Sequence, residues 1–292
     1  MINFRSIEWK FFGKRLFNPS TAPEFDLRFA SQTDIGKARD HNEDAVLFEI
    51  PASLRVLTRR GAIAILADGM GGHAAGEIAS QLACSTIRTR YYAGRGCIED
   101  GLRSAIEDAN GVIFQAAQKN AVQRGMGTTC VALVIVGASA HYAWVGDSRL
   151  YLIRNGAIYR LSEDHTIVNQ LVKDGLLDSS EAASHPDRNV LSRALGTHQT
   201  VEISSSTQSL EVRPGDRFLL CSDGLHDLVP DEDLLRTSQP LDGKRAAQSL
   251  VALANDRGGL DNISVIIVEA AERHAVPLEP ANPRETRELH RT

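Results

Sequence analysis

The chain lacks any apolar run long enough to cross a bilayer. Its longest, around Cys130 to Ala138, falls far short of the roughly 20 residues that a spanning helix needs. No secretory signal is read at the N-terminus, where Arg5, Glu8, Lys10, Lys14 and Arg15 interrupt the sequence before an apolar stretch develops. A cytoplasmic location follows as the simplest expectation. Blocks of Lys and Arg interleaved with aromatics are missing too, and the formal charge is −5. Together these argue against a nucleic-acid surface. Cysteine is scarce: Cys84, Cys97, Cys130 and Cys221 show no metal-type pairing. Three of them, Cys84, Cys130 and Cys221, lie in apolar or helical runs where a reduced, buried thiol is expected.

What is present is a chain of 292 residues that alternates short strands with a few helices. Strand-like runs fall at 45–50, 61–67, 129–136, 141–145, 149–154, 157–161, 217–221 and 263–268, and helical runs at 75–92, 98–119, 166–174, 231–235 and 243–257. The four strands between 129 and 161, separated by Gly-Asp and Asn-Gly, read as an antiparallel meander. Long helices beside antiparallel sheets imply a layered α+β domain. Residues 1–26 mix Trp9, Phe11, Phe12, Leu16 and Phe17 with basic side chains and read as a loosely packed extension. Residues 271–292 hold three prolines among many charges and read as a disordered tail.

The chemistry is concentrated where apolar runs end in Asp with Gly at hand. Leu66-Ala67-Asp68-Gly69-Met70-Gly71-Gly72-His73 is one such place, Cys221-Ser222-Asp223-Gly224 a second, and Gly258-Gly259-Leu260-Asp261-Asn262 a third. Asn42-Glu43-Asp44 adds an acidic cluster upstream. One Asp-Gly is an ordinary turn signal. Three of them in this order offer what hard divalent cations require, oxygen ligands converging on stiff supports from distant parts of the chain. The residues read as a polynuclear metal hydrolase.

The segments Thr33 to Asp44, Asp68 to Ser80, Gly127-Thr128-Thr129, Trp144 to Arg149, Leu191 to Gly196, Ser222-Asp223-Gly224 and Asp261 to Val265 run in the order found in the metal-dependent Ser/Thr protein phosphatases. The chain resembles the bacterial branch of that PPM, or type 2C, family over about residues 27–270. The resemblance implies a four-layer α-β-β-α sandwich, with two central antiparallel sheets flanked by helices and a metal site in the cleft at the sheet edges. It implies that Asp68 bridges two tightly bound Mn²⁺ or Mg²⁺ ions, that the Gly69 carbonyl joins one of them, and that Asp223 and Asp261 complete the other. Glu43 and Asp44 are implied to act partly through metal-held water, and Arg39 to bind the substrate phosphate. Asp147, with Asp223, is implied to hold a third, weaker ion, although Gly146-Asp147 is also good hairpin-turn chemistry.

The implied reaction is hydrolysis of phosphoserine and phosphothreonine in proteins by direct attack of a metal-bridging water. A Ser/Thr kinase sharing the substrates is the implied partner, and a monomer is expected. The proton donor stays open. Met70 occupies the position where a eukaryotic member carries His, and His41, His73, His165 or a metal-bound water are the candidates. Residues 165–195 are implied to include a flap beside the cleft. Two rivals remain: a catalytically silent phosphoprotein-binding member of the fold, and a stress-response phosphatase acting on an anti-sigma antagonist.

Overall fold

A computed structural model describes residues 25–71, 74–182 and 184–272. The expected extension and tail, 1–26 and 271–292, fall almost wholly outside the described residues. In chain order the elements are β1 (Phe25–Asp34), β2 (Asp44–Glu49), α1 (Leu54–Arg60), β3 (Ala62–Met70), α2 (Ala74–Ala93), α3 (Ile98–Lys119), β4 (Gly127–Thr128), β5 (Cys130–Val136), β6 (Ser139–Val145), β7 (Arg149–Arg154) and β8 (Ala157–Arg160). They continue with α4 (Ile167–Lys173), α5 (Ser179–Ala182), β9 (Ser204–Ser205), β10 (Leu210–Glu211), β11 (Arg217–Cys221), α6 (Asp223–His226), α7 (Asp231–Ser238), α8 (Gly243–Asp256) and β12 (Ile263–Glu272).

Two antiparallel sheets stack face to face, one ordered β10-β6-β5-β3-β2 and the other β1-β12-β11-β7-β8. The period-two pattern of each central strand assigns its residues to two different cores. On β3, Ile63, Ile65 and Ala67 face the helices α2 and α3, while Ala64 and Leu66 enter the layer between the sheets. On β12, Val265 and Ile267 join the core under α8, and Ile266 and Val268 turn inward. The helices answer with residues at four-residue spacing: Ala79, Ala83, Ile87 and Tyr91 on α2, and Ala246, Leu250 and Ala254 on α8. The result is the expected four-layer α-β-β-α sandwich. Cys84, Cys130 and Cys221 are buried free thiols, as expected.

The meander is a correction. β5 pairs with β6, and β7 with β8, but β6 and β7 belong to opposite sheets. The peptide at Gly146-Asp147-Ser148 is therefore the crossover from one sheet to the other, not a hairpin. Gly146 takes φ 100°, and a Cβ there would collide with Thr129. The strand at β1 was not anticipated, although it pairs with β12 along its whole length, from Phe25 opposite Glu272 to Asp34 opposite Ile263. β3 also continues two residues beyond Asp68, to Met70.

Candidate active site

One rim of the sandwich gathers the start of β2, the end of β3, the β6–β7 crossover, the end of β11 and the loop before β12. Asp44 and Asp68 are direct cross-strand partners on β2 and β3, where two like charges repel. Their backbone is fixed. The Asp68 N–H donates to Thr129 Oγ1 at 2.9 Å, and the Thr129 N–H donates to the Asp68 carbonyl at 2.8 Å. Ser222 Oγ donates to Asp44 Oδ2 at 2.9 Å. Burial, reinforced by Asp44, Asp223 and Asp147, pushes the Asp68 carboxyl well above its ordinary range. Asp44 is pushed up to about 6 by burial, against the lowering effect of hydrogen bonds from Ser264 and Ser222.

Asp223 opens the one-turn helix α6 directly after β11, and burial pushes it up to about 6. Asp261 is more open. Its Oδ2 receives Arg39 Nη2 at 2.7 Å and its Oδ1 receives the Asn262 N–H at 2.8 Å. The Asp261 contact raises Arg39 above the ordinary guanidinium value. Asn262 fixes the loop that carries Arg39 and Glu43. Its Nδ2 donates to the carbonyls of Ile35 and His41, both at 2.9 Å, and its Oδ1 accepts the Glu43 N–H at 2.8 Å. Glu43 Oε2 packs against Gly76, where a Cβ would collide with it, so the helix start approaches only because that residue is glycine.

Asp147 is 7% exposed at the crossover, and burial followed by Asp223 and Asp164 pushes its carboxyl well above the usual range. Two histidines hold its peptide. The Gly146 N–H donates to His165 Nδ1 at 3.1 Å, and His226 Nε2 donates to the Asp147 carbonyl at 3.1 Å.

Asp68, Gly69, Asp147, Asp223, Asp261, Glu43, Arg39 and Met70 line one cleft of about 400 Å³, closed on one side by Asn189, Val190 and Leu191. Asp44 lies behind this lining, against Ser222 and Asp68. A larger, more open hollow of about 600 Å³ at Cys97, Arg103, Trp144 and residues 204–207 has only Glu99 and Asp100 as carboxylates. Among the described residues no three His, Cys, Asp or Glu side chains are arranged to hold an ion unaided. The carboxylates are instead spread along the cleft, the arrangement suited to hard ions that keep much of their water. The donor set fits such ions. Asp44 Oδ1 and Asp223 Oδ1 are buried without a hydrogen-bond partner, and buried charges of one sign persist only when neutralised or compensated.

Of the candidate proton donors, His41 is exposed and absent from the cleft lining, and His73 lies outside the described residues. His165 is buried, with Nδ1 on Gly146 and Nε2 3.0 Å from Ser204 Oγ. Burial, with Arg193 and Lys173, lowers it to about 4, so it stays neutral and committed to structure. Of the two Cys-x5-Arg spacings, Cys84 to Arg90 lies within α2, while Cys97 caps the start of α3 and Arg103 lies inside that helix, so neither forms a phosphate-cradling loop. Sequence reasoning passed over Ser222, Thr129 and Asn262 as positioning groups, placed Asn189 only within the segment implied to hold the flap, and missed His226 and Asp227 altogether. A polar residue beside a motif aspartate was the available signal for Ser222 and Asn262, and the Gly127-Thr128-Thr129 segment for Thr129.

The fold and this acidic rim coincide with a known family. The profile of protein phosphatase 2C matches residues 37–254, and the chain belongs to the protein phosphatase 2C family of Ser/Thr protein phosphatases. It is 38% identical over 247 residues to the serine/threonine protein phosphatase PstP of Mycobacterium tuberculosis, covering 84% of this chain and 45% of that one. It thus spans about half the length of this relative. The serine/threonine phosphatase stp of Listeria welshimeri is 37% identical, covering 82% of this chain and 94% of the other. The solved catalytic domain of PstP in complex with two manganese ions superposes with a TM-score of 0.70 at 35% identity, covering 84% of this chain and 98% of that chain.

Proposed function

We propose that this protein hydrolyses phosphoserine and phosphothreonine in proteins, using Mn²⁺ or Mg²⁺ held in the acidic cleft. One observation carries the reading: Asp68, Asp147, Asp223 and Asp261, from four separate segments, converge with Arg39 on one cavity. Asp68, the Gly69 carbonyl, Asp223 and Asp261 would hold two ions, with Glu43 and Asp44 acting from the side and from behind. Asp147 would hold a third, weaker ion together with Asp223. Such ions lower the pKa of water and neutralise charge on a phosphoryl group in transfer. The two manganese ions in the PstP catalytic domain support this choice of metal.

The chain's own residues supply the rest. Arg39 presents a permanently charged, planar fork suited to two phosphate oxygens. Half exposed and 2.7 Å from Asp261, it lines the cleft against a carboxylate that would also help to hold a metal. Asn262 keeps the Arg39 and Glu43 backbone in register with Asp261, so substrate capture and metal retention are set by one loop. The Asn189, Val190 and Leu191 wall limits the approach of the phosphorylated side chain. A Ser/Thr kinase sharing the substrates, a cytoplasmic location and a monomeric state complete the reading. The retained carboxylates speak against a silent phosphoprotein binder, and Arg39 with Glu43 and Asp44 speaks for a general phosphatase over the stress-response type.

A panel of phosphopeptides assayed with Mn²⁺ tests it. Phosphoserine and phosphothreonine peptides are expected to release phosphate, with phosphotyrosine peptides far slower. Binding of all three without turnover would replace the enzyme by a phosphoprotein-binding module.

A further inference from the structure

The Asp147 peptide is gripped from α6, and the grip continues to the wall of the cleft. α6 carries Asp223 at its first position and His226 at its last, so one turn of helix presents both to the crossover. His226 is 9% exposed, and its Nε2 donates to the Asp147 carbonyl at 3.1 Å. Its other ring nitrogen, Nδ1, lies 3.2 Å from Asp227 Oδ1, a close contact without hydrogen-bond geometry. The second oxygen of Asp227 accepts Asn189 Nδ2 at 3.2 Å. Asn189 in turn lines the cleft beside Val190 and Leu191. Two hydrogen bonds, joined by the close contact between Asp227 and His226, therefore lead from the wall residue Asn189 to the backbone of Asp147.

The other side of the crossover is held by His165, whose N–H donates to the Gly146 carbonyl at 3.0 Å and whose carbonyl accepts the Ser192 N–H at 2.9 Å; next to it, the Ile167 N–H donates to the Val190 carbonyl at 2.8 Å. Both ends of the Asp147 peptide are thus tied to the segment that walls the cleft. A carboxylate on a short crossover has few restraints of its own, and its direction follows from the peptide that carries it. Groups that orient a metal-holding residue from behind change its affinity without touching the ion.

We propose that His226, oriented by Asp227, is a positioning residue that aims the Asp147 carboxylate and couples it to Asn189, so that occupancy of the weak ion site and seating of a phosphopeptide against the wall favour one another. This rests on the reading of Asp147 as a metal-holding residue. The coupling is reciprocal: an occupant at one end strengthens binding at the other by the same factor.

Calorimetric Mn²⁺ titration and phosphopeptide kinetics on four variants test it. His226→Leu removes the donor and is expected to weaken the weak ion by roughly tenfold while sparing the tight ions. His226→Gln, whose side-chain N–H can reach the same carbonyl, is expected to recover most of that loss. Asn189→Ala, at an exposed position, is expected to weaken the weak ion by roughly twofold or more and to raise the phosphopeptide KM by a similar factor, as reciprocity requires. Asp147→Ala is the control. If it leaves weak-ion binding unchanged, the Asp147 assignment itself fails and the positioning role falls with it. If Asp147→Ala abolishes the weak ion but His226→Leu, with a wild-type melting temperature, binds it normally, the positioning role alone is overturned. Equal losses in His226→Leu and His226→Gln would reduce His226 to packing. Should His226→Leu fail to fold, Asn189→Ala decides: unchanged weak-ion affinity overturns the coupling.

Discussion

At the scale of single residues, the cleft is built against its own stability. Asp44 and Asp68 stand side by side on neighbouring strands, both buried, with Asp223 and Asp147 adding to the repulsion on Asp68. A neutral amide in place of one carboxylate relieves that repulsion while keeping the shape. Asp68→Asn is therefore expected to abolish phosphopeptide turnover and yet raise the melting temperature of the metal-free protein, by on the order of 1 kcal/mol of stability. Differential scanning fluorimetry after metal stripping checks it; a lowered melting temperature would contradict the repulsion. Arg39 acts from outside this cluster, half exposed beside Asp261. Arg39→Ala is expected to reduce kcat/KM by about 1–3 kcal/mol, mainly through KM, as for loss of a charge-assisted contact. Unchanged kcat/KM would remove Arg39 from substrate binding.

At the scale of elements, the crossover between β6 and β7 separates one ion from the others. Asp147 is carried by a peptide that shares no strand with Asp68 or Asp261. Asp147→Ala is thus expected to leave two tight Mn²⁺ ions in place while slowing phosphopeptide turnover, which calorimetry and steady-state kinetics on the same variant resolve. Loss of all metal binding would move Asp147 into the tight pair. This element also marks where the sequence could be read and where it could not. Runs such as 130–136 and 218–221 were legible because every residue is apolar and nearly all are buried on both faces. Helices α3 and α8 were legible from their apolar spacing.

β1 was not legible, because it alternates with exposed polar side chains along an edge of its sheet, and α1 is a single short helix with no side-chain cap. Gly146-Asp147 looked like a hairpin turn because local sequence reports the bend and not the sheet to which the next strand belongs. Asp68, Asp223 and Asp261 were visible as Asp with Gly beside or just before it at the ends of strand-like runs. His226 and Asp227 were not, since nothing local distinguishes a histidine that grips a distant carbonyl from a satisfied core histidine.

At the scale of the whole molecule, metal, protons and folding share one cluster. Asp44 and Asp223 titrate near 6 in the folded protein, against about 4 for an unperturbed carboxyl. Between those values the folded state holds more protons than the unfolded state, so stability falls as pH rises through that window. The metal-free protein is expected to melt at a lower temperature at pH 7.5 than at pH 5. Saturating Mn²⁺ binds the ionised carboxylates of the folded state alone, so it should raise the melting temperature most at the higher pH. A pH-independent metal effect would contradict the link between the carboxylates and the ions.

The most direct measurement is turnover of a phosphothreonine peptide by protein stripped with EDTA and freed of chelator, with residual metal quantified in the same sample. Phosphate release is expected to vanish with the metal and to return on adding Mn²⁺ or Mg²⁺. Undiminished release by protein shown to contain no divalent metal would contradict the assignment of the acidic cleft as a metal-dependent phosphatase site.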